Sequence, residues 1–211
     1  MDSSKFKKYM INHKRKILFI DICKTAGTSI TKTLQKYYPE DKWEGKHHSV
    51  PNFTPKIASM VNDEILDEYS SFTVIRNPYD RMISLWVWGL GGDYHSLPFL
   101  KFVRNVRDCK YTEMKGHRYK TSLEWISDES GTIRVKNIIR YENLQEELNQ
   151  YLNSQGMDSV QLIKENTKEQ WHKEGHQFKL HEHYKEHYCE ESQTIIRNLF
   201  KDEIEHFGFE F

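Results

Sequence analysis

The sequence predicts an α/β protein: a central parallel β-sheet with helices on both faces, three layers in all. Three observations predict it. Ile17-Leu18-Phe19-Ile20 and Ser71-Phe72-Thr73-Val74-Ile75 are short apolar runs without polar alternation, the pattern of strands buried on both faces of a parallel sheet. Each run gives way to a tight turn and then to apolar residues at helical spacing. Val135 to Tyr141 repeats the step, running into a helix marked by Leu144, Leu148, Tyr151 and Leu152.

The first unit runs from Lys16 to Leu34. Its strand ends at Asp21, and the turn that follows, Lys24-Thr25-Ala26-Gly27-Thr28-Ser29, opens a helix carrying Ile30, Leu34 and Tyr37. The first N–H groups of a helix lack intrahelical partners and its dipole puts partial positive charge there, so an anion belongs at this turn. Gly27 lets the backbone come close to a ligand, and Lys24 adds a full positive charge. The phosphate loop GxxxxGK[ST] is the nearest template. Laid on its GK[ST] end, Gly27-Thr28-Ser29 puts a threonine in the lysine position and leaves Lys24 earlier in the loop, which argues against a nucleotide triphosphatase.

Length and composition bound the rest. At 211 residues the chain is read as a flexible basic N-terminus, 1–15, and a single domain, 16–211. Lys plus Arg and Asp plus Glu are both 31, so nothing in the overall charge points to nucleic acid, and an anion site must be local. Three cysteines, Cys23, Cys109 and Cys189, are too few for a disulfide framework and suggest a reducing compartment. Residues 1–15 lack a signal peptide's apolar core and no run approaches the roughly 20 residues of a membrane span, which makes the cytoplasm the expected location.

The loop from Pro39 to Pro51 has neither period; its prolines hold it extended and return it toward the sheet. It contains His47-His48, and imidazole suits a general base, although in a chain of 11 histidines a surface pair is more often a bystander. Thr54 to Tyr69 reads as an amphipathic helix, with Thr54 as cap and Pro55 at its first position.

The second unit ends in Arg76-Asn77-Pro78-Tyr79-Asp80. Asn77 is the expected cap, Pro78 the first helical residue, and Asp80 the group expected to return to the cap as in a capping box. Met82, Leu85, Trp86 and Gly89 form the expected core stripe, leaving Ser84 on another face with Asn77 and Asp80. Arg76 at the strand's carboxyl end and Ser84 two turns into the helix can converge on one spot, where a planar guanidinium fork and a hydroxyl match a phosphate dianion.

Aromatic residues and glycines follow from Trp86 to His95, suited either to stacking on sugar rings or to filling the core. Short helices are expected around Leu100 to Val106 and Leu123 to Ile126, with a basic polar stretch between them. Residues 160–183 are charged and histidine-rich without clear period, and their histidines lack the companions of a metal site, so no metal is expected. Ile195, Ile196, Leu199, Phe200, Ile204 and Phe207 mark a closing helix.

Lysine before the glycine in Lys24-Thr25-Ala26-Gly27-Thr28-Ser29, the Arg76…Ser84 pair, Arg140-Tyr141-Glu142-Asn143-Leu144 and the ending from Asp202 to Phe211 resemble sulfotransferases that use 3′-phosphoadenosine 5′-phosphosulfate (PAPS), in particular the Golgi carbohydrate and heparan sulfate type. Relatives of that type often carry an N-terminal membrane anchor, and often histidine and proline where Asp21 and Cys23 stand here. The resemblance implies a P-loop nucleotide-hydrolase-like sulfotransferase fold from Ile17 to Phe211. It implies a 5′-phosphate held by Lys24, Thr25, Ala26, Gly27, Thr28 and Ser29, and a 3′-phosphate held by Arg76 and Ser84. It further implies that Asn166, Thr167 and Lys168 are candidates to contact the nucleotide, with Thr167 foremost, that Lys24 acts in catalysis, and that His48, or His47 beside it, takes the proton from an acceptor hydroxyl, with a glycan as the expected acceptor. Two rival classes remain: a kinase of the same fold using ATP with Mg²⁺, and a non-catalytic nucleotide-binding protein.

Overall fold

A computed structural model describes residues 9–45, 61–87, 97–108, 120–165 and 183–211. Four strands, β1 (Tyr9–Asn12), β2 (Ile17–Ile20), β3 (Ser70–Ile75) and β4 (Asn137–Arg140), form one sheet in the order β1-β2-β3-β4. β2, β3 and β4 are parallel, with Ile20 opposite Thr73 and Ile75 opposite Arg140, while β1 runs antiparallel to β2 with Tyr9 opposite Ile20.

The three parallel strands are those the apolar runs predict. β1 is a correction: the reading of 1–15 as flexible placed Tyr9–Asn12 outside the fold, yet Met10, Ile11 and Asn12 are buried. Four residues inside a basic stretch carry too little pattern to reveal a strand, and the turn into β2 creates it. The loop after Pro39 does return to the sheet: Ile11 and Glu44 exchange backbone hydrogen bonds at 2.8 Å on the outer edge of β1.

The helices are α1 (Gly27–Tyr37), α2 (Asp63–Glu68), α3 (Pro78–Val87), α4 (Phe99–Arg107), α5 (Ser122–Ile126), α6 (Leu144–Ser154), α7 (Glu190–Leu199) and α8 (Lys201–Phe207). Alternation along the strands divides the core. Ile17, Phe19, Phe72, Val74 and Ile139 pack with Ile30 and Leu34 of α1 and Leu148 and Leu152 of α6. Leu18 and Ile20 pack instead with Leu66 of α2 and with Trp125 and Ile126 of α5. A third cluster joins Met82, Ile83 and Leu85 of α3 to Phe102 and Val103 of α4 and Ile196 of α7.

Three local expectations change. Tyr37 is exposed at the end of α1. The helix expected from Thr54 to Tyr69 is observed over Asp63–Glu68, capped by Asn62, whose Oδ1 accepts from Ile65 N at 3.0 Å; Thr54 to Met60 lie outside the described residues. The closing helix is two helices, broken at Phe200, where ψ turns to 24° and lets the buried Phe200 ring reach the α3–α4 cluster. Among the described residues no helix is long and apolar enough to cross a membrane.

Candidate functional site

β2 and β3 are neighbouring parallel strands, so the turns after them stand side by side at the sheet's carboxyl edge. In the first turn Lys24 and Ala26 both adopt left-handed backbone, φ 69° and 73°. This region costs a non-glycine residue about 1–2 kcal/mol, and turns of this kind aim successive N–H groups into an anion-binding concavity. Ala26 is the N-cap of α1 and offers no side-chain acceptor to the helix's first N–H groups. Thr25 is fully buried, its Oγ1 donating to Ile22 O at 2.8 Å, so its hydroxyl braces the turn.

Gly27 is the first residue of α1, and its backbone needs no glycine conformation. What it needs is room, because a Cβ there would meet the buried carboxylate of Asp21. The expectation that Gly27 serves close approach to a ligand is thus joined by a second reason inside the protein. Thr28 is half-buried. Ser29 is buried; its Oγ accepts from Glu165 N at 3.2 Å.

The second turn is built around Arg76. Its Nε and Nη2 donate to Asp80 Oδ2 at 2.8 and 2.7 Å, its Nη1 donates to Lys24 O at 3.1 Å, and its guanidinium lies 4.0 Å from the centroid of the Tyr141 ring. Arg76 therefore bonds the first turn directly. Of its five N–H groups two, one on each Nη, remain beyond these contacts. Asn77 caps α3 as expected, its Oδ1 accepting from Tyr79 N at 3.0 Å. Asp80 does not complete a capping box: it takes Arg76, and Asn77 N donates to Glu142 Oε1 at 3.1 Å instead. A guanidinium four residues away offers the carboxylate a charge-assisted pair that a single backbone N–H cannot match.

Ser84 is half-buried, two helical turns from Asn77, and makes no side-chain hydrogen bond among the described residues. It shares the helix face of Asp80 and Asn77 by spacing. Trp86 turns out to serve the core: its Nε1 donates to Leu97 O at 2.9 Å and its ring lies 5.3 Å from that of Phe99. His47, His48, Trp88, Asn166, Thr167 and Lys168 lie outside the described residues.

Sequence reading missed the partners. Tyr141 and Glu142 belong to the RYENL stretch, read as structural, and they are structural in a specific way: one supports Arg76 and the other holds Asn77. Their signal was their place at the end of a strand adjacent to β3. The C-terminal residues also reach this corner, with Asn77 Nδ2 donating to Glu210 O at 2.7 Å. Tyr184 sits nearby; burial pushes its phenol pKa up, and the charges of Asp80 and Glu142 add to the rise. Buried Arg81 of α3 forms an ion pair with buried Glu203 at 3.5 Å, a partner that local sequence pattern does not reveal.

The model of the Sulfotransferase family matches residues 7–210 of this chain. The chain belongs to the sulfotransferase family. Neither the curated proteins nor the solved structures gave a match. The family match begins two residues before β1, so the antiparallel edge strand lies within the sulfotransferase region. A transferase activity acting on an acceptor substrate follows from sulfotransferase membership.

Proposed function

We propose that this sulfotransferase moves a sulfonate group from PAPS to an acceptor hydroxyl on a carbohydrate. The observation that carries the reading is the Arg76 Nη1 bond to Lys24 O: two turns suited to anions, on neighbouring parallel strands, are tied to each other. One ligand with phosphates at both ends needs that arrangement, and a nucleoside triphosphate, which lacks a 3′-phosphate, does not. The residues present fit such a ligand. The uncapped first turn of α1 suits a 5′-phosphate, and the two remaining N–H groups of Arg76 with the Ser84 hydroxyl suit a 3′-phosphate.

PAPS supplies the sulfonate and takes back the bridging oxygen as part of the 5′-phosphate of its product, 3′-phosphoadenosine 5′-phosphate (PAP). In this reading the N–H groups of Thr25 to Ser29 hold the 5′-phosphate, and Lys24 offsets the charge that grows on the bridging oxygen. His48 accepts the acceptor's proton as the new S–O bond forms and the old one breaks. The chain enters that histidine segment from the correct edge. A Cβ on Gly45 would lie 2.1 Å from Tyr9 O, and Tyr9 is paired with Ile20, the last residue of β2. His48 is three positions after Gly45 in sequence, a span of at most about 11 Å.

Apolar clusters on both faces of the sheet support the three-layer, P-loop-like arrangement, carried by one domain that includes β1. The carbohydrate acceptor rests on the Golgi-type resemblance and the aromatic residues after Val87. A cytoplasmic location rests on the thiols, Cys23 and Cys189 being free. The deciding experiment is incubation with labelled PAPS over a panel of glycan, small-molecule and tyrosine-peptide acceptors, with thermal shifts by PAP and by ATP with Mg²⁺ alongside. Label transfer and a shift by PAP are expected. Stabilisation by ATP with Mg²⁺ alone would make the protein a kinase, and PAP binding without transfer to any acceptor would make it a binding protein.

A further inference from the structure

Residues 160–165 cross from α6 onto α1 with their backbone N–H groups held by side chains in sequence. Val160 N donates to Asn149 Oδ1 at 2.8 Å and Leu162 N to Gln145 Oε1 at 2.9 Å, both on α6. Ile163 N then donates to Thr33 Oγ1 at 2.9 Å and Glu165 N to Ser29 Oγ at 3.2 Å, both on α1. The segment thus runs backward along α1, from its second turn to its first, and arrives at the phosphate turn. Thr33 is fully buried and committed twice, because its Oγ1 also donates to Ser29 O at 2.7 Å. Lys32 pairs with Glu165 at 2.9 Å, which offsets a carboxylate that would otherwise repel an anion one turn away.

Ser29 is the joint. Its hydroxyl accepts from Glu165 N and keeps its own proton to donate. A phosphate oxygen at the start of α1 would take that proton, and a hydroxyl that donates to an anion becomes a better acceptor for the N–H behind it. We propose that Thr33 is a positioning residue for nucleotide binding: through Ser29 it couples the docking of residues 162–165 on α1 to occupation of the phosphate turn. The coupling is reciprocal, so a phosphate tightens the segment and the docked segment tightens the phosphate. This inference rests on the PAP-binding reading above.

The test is amide hydrogen exchange of the full chain with and without PAP, read at Ile163 and Glu165, together with calorimetric PAP affinity of Thr33→Val and Thr33→Ser. PAP is expected to slow exchange at both amides by at least about tenfold, corresponding to a coupling of about 1.4 kcal/mol. Thr33→Val, which keeps shape and loses the hydroxyl, is expected to speed both amides and weaken PAP about three- to tenfold. Thr33→Ser is expected to restore both, which separates positioning from a general loss of packing. PAP that binds without slowing Glu165, or a Thr33→Val chain that undocks the segment yet binds PAP as tightly as the parent, overturns the coupling alone. Failure of the parent chain to bind PAP overturns the coupling together with the reading it rests on.

Discussion

Gly27 packs against the carboxylate of Asp21 so closely that a Cβ built on the glycine would lie 1.9 Å from Asp21 Oδ1. The turn between β2 and α1 is closed by that contact. Gly27→Ala is expected to destabilise the fold by about 1–3 kcal/mol, the usual cost of forcing extra volume into packed space. Denaturant unfolding measures it. Adding Asp21→Ala should recover most of the loss, and a Gly27→Ala chain as stable as the parent would show that the carboxylate moves aside at no cost.

Lys24 holds its charge at the turn from a left-handed residue whose carbonyl is bonded by Arg76. Lys24→Ala is expected to lower turnover with PAPS by about a hundredfold or more, the scale of a lost electrostatic stabiliser, while nucleotide affinity changes far less. Equal losses in turnover and binding would assign Lys24 to uniform binding.

Arg76→Ala is expected to weaken PAP by about 10- to 100-fold, as charge-assisted hydrogen bonds contribute about 1.5–3 kcal/mol. Adenosine 5′-phosphosulfate, without a 3′-phosphate, should lose much less, the remainder reflecting the lost bond to Lys24 O. Calorimetry with equal effects on both ligands would remove Arg76 from the 3′ corner.

His48→Ala should nearly abolish transfer and leave PAP affinity alone. Rates from a paired His47→Ala chain decide between the neighbours: if that variant is the damaged one, the base moves by one position.

Tyr151 provides a pH test of the fold. Burial raises its pKa to about 12, and its phenol donates to Ser70 O at 3.0 Å. The unfolded value is about 10, so the neutral phenol's contribution is complete below pH 10 and is lost as pH rises through 12. Stability should fall by on the order of 2–3 kcal/mol across that window, and burial raises Tyr188 in the same direction. Tyr151→Phe should flatten the alkaline limb of a stability–pH curve; an unchanged limb would locate the titrating group elsewhere.

Ile17–Ile20 and Ser71–Ile75 were legible as strands because a run buried on both faces has no polar residue to confuse its pattern. The helix after Pro78 was legible from its cap, since Asn77 acts within two residues of itself. Such signals are local, and so was the grouping of Lys24 to Ser29 in one turn. β1 was not legible, because Tyr9–Asn12 become a strand only by pairing with Ile17–Ile20 across the chain reversal. Asp80 was misread for a different reason: a capping box and an ion pair to Arg76 are both local and use the same carboxylate, and the sequence pattern does not rank the two.

By itself, then, the chain of residues determined the three parallel strands, the grouping of Lys24 to Ser29 beside the start of α1 and the family pattern they follow, all properties of neighbours along the backbone. Tertiary structure decided the partners: Arg76 on Lys24 O, Tyr141 beneath Arg76, Glu142 on Asn77, Glu165 on Ser29. Those pairs are separated by 52 to 136 positions in sequence, and a hydrogen bond at 3 Å between such residues exists only once the sheet has set the strand ends side by side.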